Sequence, residues 1–127
     1  MQLDRNGLEI LDREECVRLL ESATLGRIGF TSGALPTVLP VDFHLDDGRI
    51  LVHTTRGSRL DAALKDAVVA FEADEFDSGD HLGWSVAVTG VATELDAGTL
   101  AISIDLISGR RSTTDRPWLS AGPPATP

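Results

Sequence analysis

The chain has 127 residues and a mass of 13.5 kDa, a length that makes one domain and lets about two-thirds of the extended chain's surface be buried. With 42% hydrophobic and 24% charged residues it is an ordinary globular sequence, not a disordered, collagen-like or coiled-coil one. A net charge of −9 speaks against nucleic acid and anionic membrane as partners, the single cysteine excludes an intrachain disulfide or cysteine zinc cluster, and no apolar run reaches the ~20 residues of a membrane span. With no basic-then-apolar run at the N-terminus, the expectation is a soluble cytoplasmic protein.

Residues 11 to 24 place Cys16, Leu19, Leu20 and Ala23 at helical spacing, with Asp12 as cap and Glu15 three positions on to complete a capping box. Leu25 to Thr31 reads as a strand, Thr31-Ser32-Gly33 as a turn, and Leu35 to Leu45 as a second strand, which together predict a hairpin. Pro36 and Pro40 have no N–H to give a ladder, so they are expected at an edge, a bulge or a barrel rim, where backbone is left free for a ligand.

A two-residue turn at Asp47-Gly48 fixes the next register: Asp46 faces Arg49, Leu45 faces Ile50, Phe43 faces Val52 and Val41 faces Thr54. The other face then sets Asp42 opposite His53 and His44 opposite Leu51. From Ser58 the pattern turns helical, with Asp61 completing a second capping box. Ala67 to Ala73 is apolar enough for a buried strand, Asp74 to His81 reads as a loop, and Leu82 to Leu95 as one long strand with a bulge or bend at Gly90. Thr99 to Ile107 is a short element of undecided type. Beyond Gly109 the composition turns Ser, Thr, Pro and Gly rich, so residues 1–109 are expected to form the domain and 110–127 a flexible tail.

The segment Thr54-Thr55-Arg56-Gly57-Ser58-Arg59 is the best candidate for chemistry. A helix start offers unpaired N–H groups to an anion, the hydroxyls of Thr54, Thr55 and Ser58 add donors, and Arg56 and Arg59 have the forked geometry that suits phosphate. The plainer alternative is that Ser58 only caps its helix and the arginines are solvated. His44, His53 and His81 share no metal-ligand spacing, and no metal is expected. Asp42 and His53 make either an acid–base pair or a simple cross-strand ion pair, and Cys16 belongs to the apolar stripe of its helix. No hydrolase elbow, Walker loop or dinucleotide fingerprint is present.

Five segments in order, Leu25-Gly26-Arg27-Ile28-Gly29, "PTVLPVDF" from Pro36, "HTTRGSRL" from His53, "VAFEAD" from Val69 and "GWSVAVTG" from Gly83, resemble the flavin-binding split-barrel proteins related to pyridoxamine 5′-phosphate oxidase, especially the small actinobacterial type. The resemblance covers about residues 8 to 95. It implies a mainly β fold, a six-stranded Greek-key split β-barrel with an N-terminal helix and one helix after strand three, paired as a homodimer around flavin mononucleotide (FMN). It puts the phosphate on Thr54, Ser58 and Arg59 with Thr55 and Arg56 adjacent, and the isoalloxazine beside Leu39, Pro40, Val41 and Asp42. Trp84 and Ser85 would flank the cofactor from the same chain or its partner.

The family also includes users of a deazaflavin coenzyme and binders of haem-type tetrapyrroles, which stand as alternative cofactors. Activity is expected to be flavin-dependent hydride transfer to or from a small substrate, with a non-catalytic binding or carrier role as the alternative. The C-terminus departs from the family's pattern: Ile107 to Arg111 resembles its terminal signature, placed early, and a final barrel strand lost there would leave an open edge.

Overall fold

The computed structural model describes residues 1–54, 64–96 and 98–113. A short β1 (Glu9–Leu11) leads into α1 (Arg13–Ser22). Asp12 caps this helix by accepting the backbone N–H of Glu15 at 2.9 Å. The reciprocal half of the expected capping box does not form, because the Glu15 carboxylate is drawn instead to Arg111 and Arg18. The apolar stripe lies inward as the spacing predicts: Cys16 and Leu20 are fully buried, and burial pushes the Cys16 thiol up, so it stays protonated core material.

Six strands close into a ring: β2 (Leu25–Ser32), β3 (Leu35–Asp46), β4 (Arg49–His53), β7 (Thr99–Ser103), β6 (Gly83–Asp96) and β5 (Val68–Phe76), which returns to β2. All these pairings are antiparallel. The expected split barrel is thus present, and its last strand is not lost. β7 pairs with both β4 and β6 and seals the ring. The undecided run Thr99 to Ile107 divides at Ile104 and Asp105, because its halves serve different partners: β7 closes the barrel, while β8 (Leu106–Arg111) pairs with the first part of β6 and carries β1.

β6 serves both sides by changing neighbours near Gly90, pairing with β8 from Trp84 to Thr89 and with β7 from Ala92 onward. The Ser103 carbonyl packs directly on Gly90, where any side chain would overlap it, and the Ser103 hydroxyl accepts the Val91 N–H at 2.9 Å. The bend expected at Gly90 therefore marks a strand handed from one partner to another at close range.

Inside the ring, alternate residues converge on one core. Phe43 meets Phe71 edge to face at 4.8 Å, with Ile28, Ile50, Val52, Val86, Val88, Leu100 and Ile102 buried around them. Burying side chains of this size stabilises by about 1.5–3 kcal/mol each before chain entropy is counted.

The Asp47-Gly48 turn forms with positive φ at both residues, and the register Phe43↔Val52, His44↔Leu51, Leu45↔Ile50 and Asp46↔Arg49 is as the turn dictates. β8 runs on to Arg111, past the domain boundary expected at 109. Its arginines tie the N-terminal segment down: Arg110 Nε lies 3.0 Å from Asp4, and Arg111 pairs with Glu9 and Glu15. Slight burial of the Asp4 carboxylate works against ionisation but is outweighed by the N–H groups of Leu8 and Asn6 and by Arg110, which hold it below its usual value. The helix expected after strand three and the tail beyond Thr113 lie outside the described residues.

Candidate functional site

β3 and β4 run together only as far as Phe43 and Val52 and then part. On one side the Phe43 N–H turns to the Thr24 carbonyl; on the other the Thr54 N–H bonds to Gly98 at 2.7 Å, keeping the end of β4 with β7. The expected pairings Val41 with Thr54 and Asp42 with His53 are therefore absent from the ladder. Among the described residues no ion pair joins Asp42 to His53, and the His53 ring stacks on His44 at 5.4 Å instead. These two rings are diagonal neighbours in the hairpin register, a relation already contained in the Asp47-Gly48 turn.

The fork leaves the first part of β3 open. In an antiparallel ladder successive residues bond to alternate sides, and the pairs Ser32↔Leu35 and Asp46↔Arg49 flanking the two turns set which side each residue serves. Odd-numbered residues of β3 bond to β2, and even-numbered ones aim toward β4. From Pro36 to Asp42 there is no β4 to meet, so the carbonyls of Pro36, Val38, Pro40 and Asp42 and the N–H groups of Val38 and Asp42 face an edge that no described strand covers. Pro36 and Pro40 fall on this side, where a missing N–H costs the β2 ladder nothing. That is the rim position their sequence predicts.

Thr54 stands at the other prong. Its Oγ1 is shut away from solvent and has no hydrogen-bond partner among the described residues, a costly arrangement for a hydroxyl unless something else completes it. Of the proposed phosphate ligands, Thr54 is the one described; Thr55, Arg56, Ser58 and Arg59 lie outside the described residues. Leu39, Pro40, Val41 and Asp42 line the opposite prong, Val41 buried beneath it and the other three exposed.

Trp84 and Ser85 are not brought to this fork. They begin β6, paired with Glu75 and Asp74 of β5, and β5 and β2 separate them from β3. Three strand spacings amount to about 14 Å. Trp84 is buried, its indole N–H donating to Glu75 at 3.3 Å. Ser85 donates to Glu72 Oε2 at 2.9 Å.

Glu72 belongs to a network that residue pattern alone does not disclose. Arg27 Nη1 lies 3.3 Å from both Glu72 and Asp74, so one guanidinium serves two carboxylates. Burial raises the Glu72 carboxyl to about 7, Asp74 pushes the same way, and Ser85 and Arg27 pull against them. A cavity of about 290 Å³ opens beside this network, lined by Glu72, Asp74, Glu75, Phe76, Trp84 and Ser85. The available signal was register: Arg27, Glu72 and Ala87 are adjacent across β2, β5 and β6.

A closed six-stranded antiparallel ring that splits between β3 and β4 and leaves a backbone edge no described strand covers defines a split-barrel protein. The chain belongs to the pyridoxamine 5′-phosphate oxidase family, whose sequence model matches residues 12–119. A relative, the uncharacterised protein Rv0080 of Mycobacterium tuberculosis, is 43% identical over 90 residues, 67% of this chain, and the match spans 59% of that relative's length. The structure of the FAD binding protein from Mycobacterium smegmatis is similar with a TM-score of 0.76 and 34% identity, covering 84% of this chain and 99% of that one. A Corynebacterium glutamicum structure named for pyridoxamine 5′-phosphate oxidase gives 0.70 and 28%, covering 84% and 98%.

Proposed function

We propose that this chain binds a flavin nucleotide in the β3–β4 fork, as a homodimer, and uses it to pass hydride to or from a small substrate. The observation that carries the reading is the fork itself: a backbone edge from Pro36 to Asp42 that no described strand covers, and, at the end of β4, a buried Thr54 hydroxyl with no partner among the described residues. The donor set suits the ligand. A threonine hydroxyl gives a hydrogen bond to a phosphate oxygen, and alternating N–H and C=O groups match the polar edge of a planar ring system. The similar Mycobacterium smegmatis protein is an FAD binding protein, which supports a flavin.

FMN is the flavin this reading favours, with Ser58 and Arg59 completing the phosphate grip and Thr55 and Arg56 beside it. When bound, the isoalloxazine supplies the redox chemistry. The chain's part is to hold and orient. The β3 edge fixes the ring plane, and Thr54 with the segment after it fixes the phosphate. A deazaflavin coenzyme or a haem-type tetrapyrrole remains the alternative ligand, and a carrier role the alternative to catalysis.

The visible spectrum of the purified protein tests the ligand, and anaerobic turnover with a reduced nicotinamide donor tests the activity. Flavin bands that bleach and recover with substrate are expected. A protein that stays colourless and binds no added flavin contradicts the reading. The double variant Ser58→Ala, Arg59→Ala should lose at least tenfold in FMN affinity, about 1.4 kcal/mol; an unchanged titration curve would remove those two residues from the site.

A further inference from the structure

Strands β5 and β6 are apolar or small-residue on both faces over much of their length, a pattern that belongs to strands covered on two sides. The inward residues fill the barrel. The outward face of β2, β5, β6 and β8 presents Gly29, Ala70, Ala87 and Ser108 at its centre, flat enough for close approach by another flat surface. Val68 and Leu106 at its margin are 70% and 68% exposed.

Charge names the occupant. A chain of net charge −9 repels a second copy of itself over most of its surface, yet this face carries both signs, Arg27 against Glu72 and Asp74 and Arg110 against Asp4, and is balanced once it holds one proton. A face holding both signs can meet its own image across a two-fold axis, which is the condition for an isologous dimer. At its centre, however, Arg27 alone faces two carboxylates. Among the described residues no other cation reaches them: Arg110 of β8, opposite Ser85, is held by Asp4, and the remaining titratable neighbour, Glu75 of β5, is acidic. The triad is neutral only when it holds one proton. Covering it while it is charged takes an unbalanced charge out of water, and covering it when protonated does not.

We infer that two copies of the chain pair through the outward face of β2, β5, β6 and β8, and that the Arg27–Glu72–Asp74 triad makes this pairing proton-dependent. Each chain takes one proton from solvent onto the carboxylate pair as the face is covered. This rests on the homodimer of the proposed function and adds its face and its regulation. The elevated Glu72 carboxyl places the transition near neutral pH.

Sedimentation equilibrium at pH 6 and pH 8 tests it. With two triads in the dimer, the dissociation constant should rise up to roughly a hundredfold between these pH values. Glu72→Gln, which carries no charge, should dimerise at pH 8 as tightly as the parent does at pH 6, and Asp74→Asn serves as the second variant if Glu72→Gln fails to fold. Ala70→Arg, on the exposed face, should separate the chains while circular dichroism stays native. A dimer with the same dissociation constant at both pH values overturns the proton dependence and leaves the homodimer standing. A dimer indifferent to Ala70→Arg overturns the face. A single-chain mass at every pH overturns the homodimer reading itself.

Discussion

Thr54 and Glu72 have surroundings that ask for something beyond the single chain. The Thr54 hydroxyl is buried without a partner among the described residues, so replacing it with valine, which keeps the shape and removes the donor, should cost the chain little stability and reduce FMN affinity about tenfold. Fluorescence titration of the variant checks this, and equal affinity would show that the hydroxyl has no ligand to serve. Glu72 has a carboxyl near 7 in the folded chain against an ordinary 4.5 when unfolded. Between those values the native state holds more protons than the unfolded state, so this group's contribution to stability is greatest below 4.5 and declines as pH rises through 7. Melting temperatures of Glu72→Gln and the parent, at a concentration where both are single chains, should accordingly differ more in the variant's favour at pH 8 than at pH 5. A difference independent of pH would mean the carboxyl is not elevated.

At the scale of elements, the junction at Gly90 holds the two halves of the barrel's pairing together. A Gly90→Ala substitution drives a methyl into the Ser103 carbonyl, and because the obstacle is backbone it cannot rotate away. A loss of about 3 kcal/mol or more is expected, read as a lower urea midpoint; an unchanged midpoint would show that β6 can shift away from β7. Arg111 joins β8 to β1 and α1 through Glu9 and Glu15. Half-exposed pairs are worth little singly, so Arg111→Ala should cost only about 1 kcal/mol while increasing hydrogen exchange in α1 before the barrel strands.

These same elements show what the sequence discloses and what it withholds. The hairpin at Asp47 was legible to the residue from Phe43 to Asp46 because turn geometry and residue alternation are local, whereas the first hairpin was legible only as a hairpin: Thr31 and Ser32 belong to β2 and the turn is Gly33-Ala34 rather than Thr31-Ser32-Gly33. The helix cap was legible for the same reason, but the fate of Glu15 was not, since its partner Arg111 is 96 residues away. Thr99 to Ile107 stayed undecided because its two halves answer to β4 and β6 on one side and to β1 and β6 on the other. Periodicity records which face of a strand is buried and is silent on which strand lies beside it. The β3 edge of the site was written in Pro36 and Pro40. The parting of β3 from β4 was not, because the β4 end is held by Gly98, a distant residue.

The whole molecule combines a closed barrel, which fixes the fork, with an outward sheet face that a second copy is proposed to cover. No helix among the described residues is long and apolar enough to cross a membrane. The fork's proposed role as a flavin phosphate site underlies every other functional role given to the chain. The direct measurement is a fluorescence-quenching titration of the apoprotein with FMN, FAD and riboflavin. FMN should bind at least tenfold more tightly than riboflavin, because only the phosphate can use the Thr54 hydroxyl and the segment that follows it. FAD binding as well as FMN would keep the site and broaden the ligand. Equal affinity for FMN and riboflavin, or binding of none of the three, would contradict the assignment.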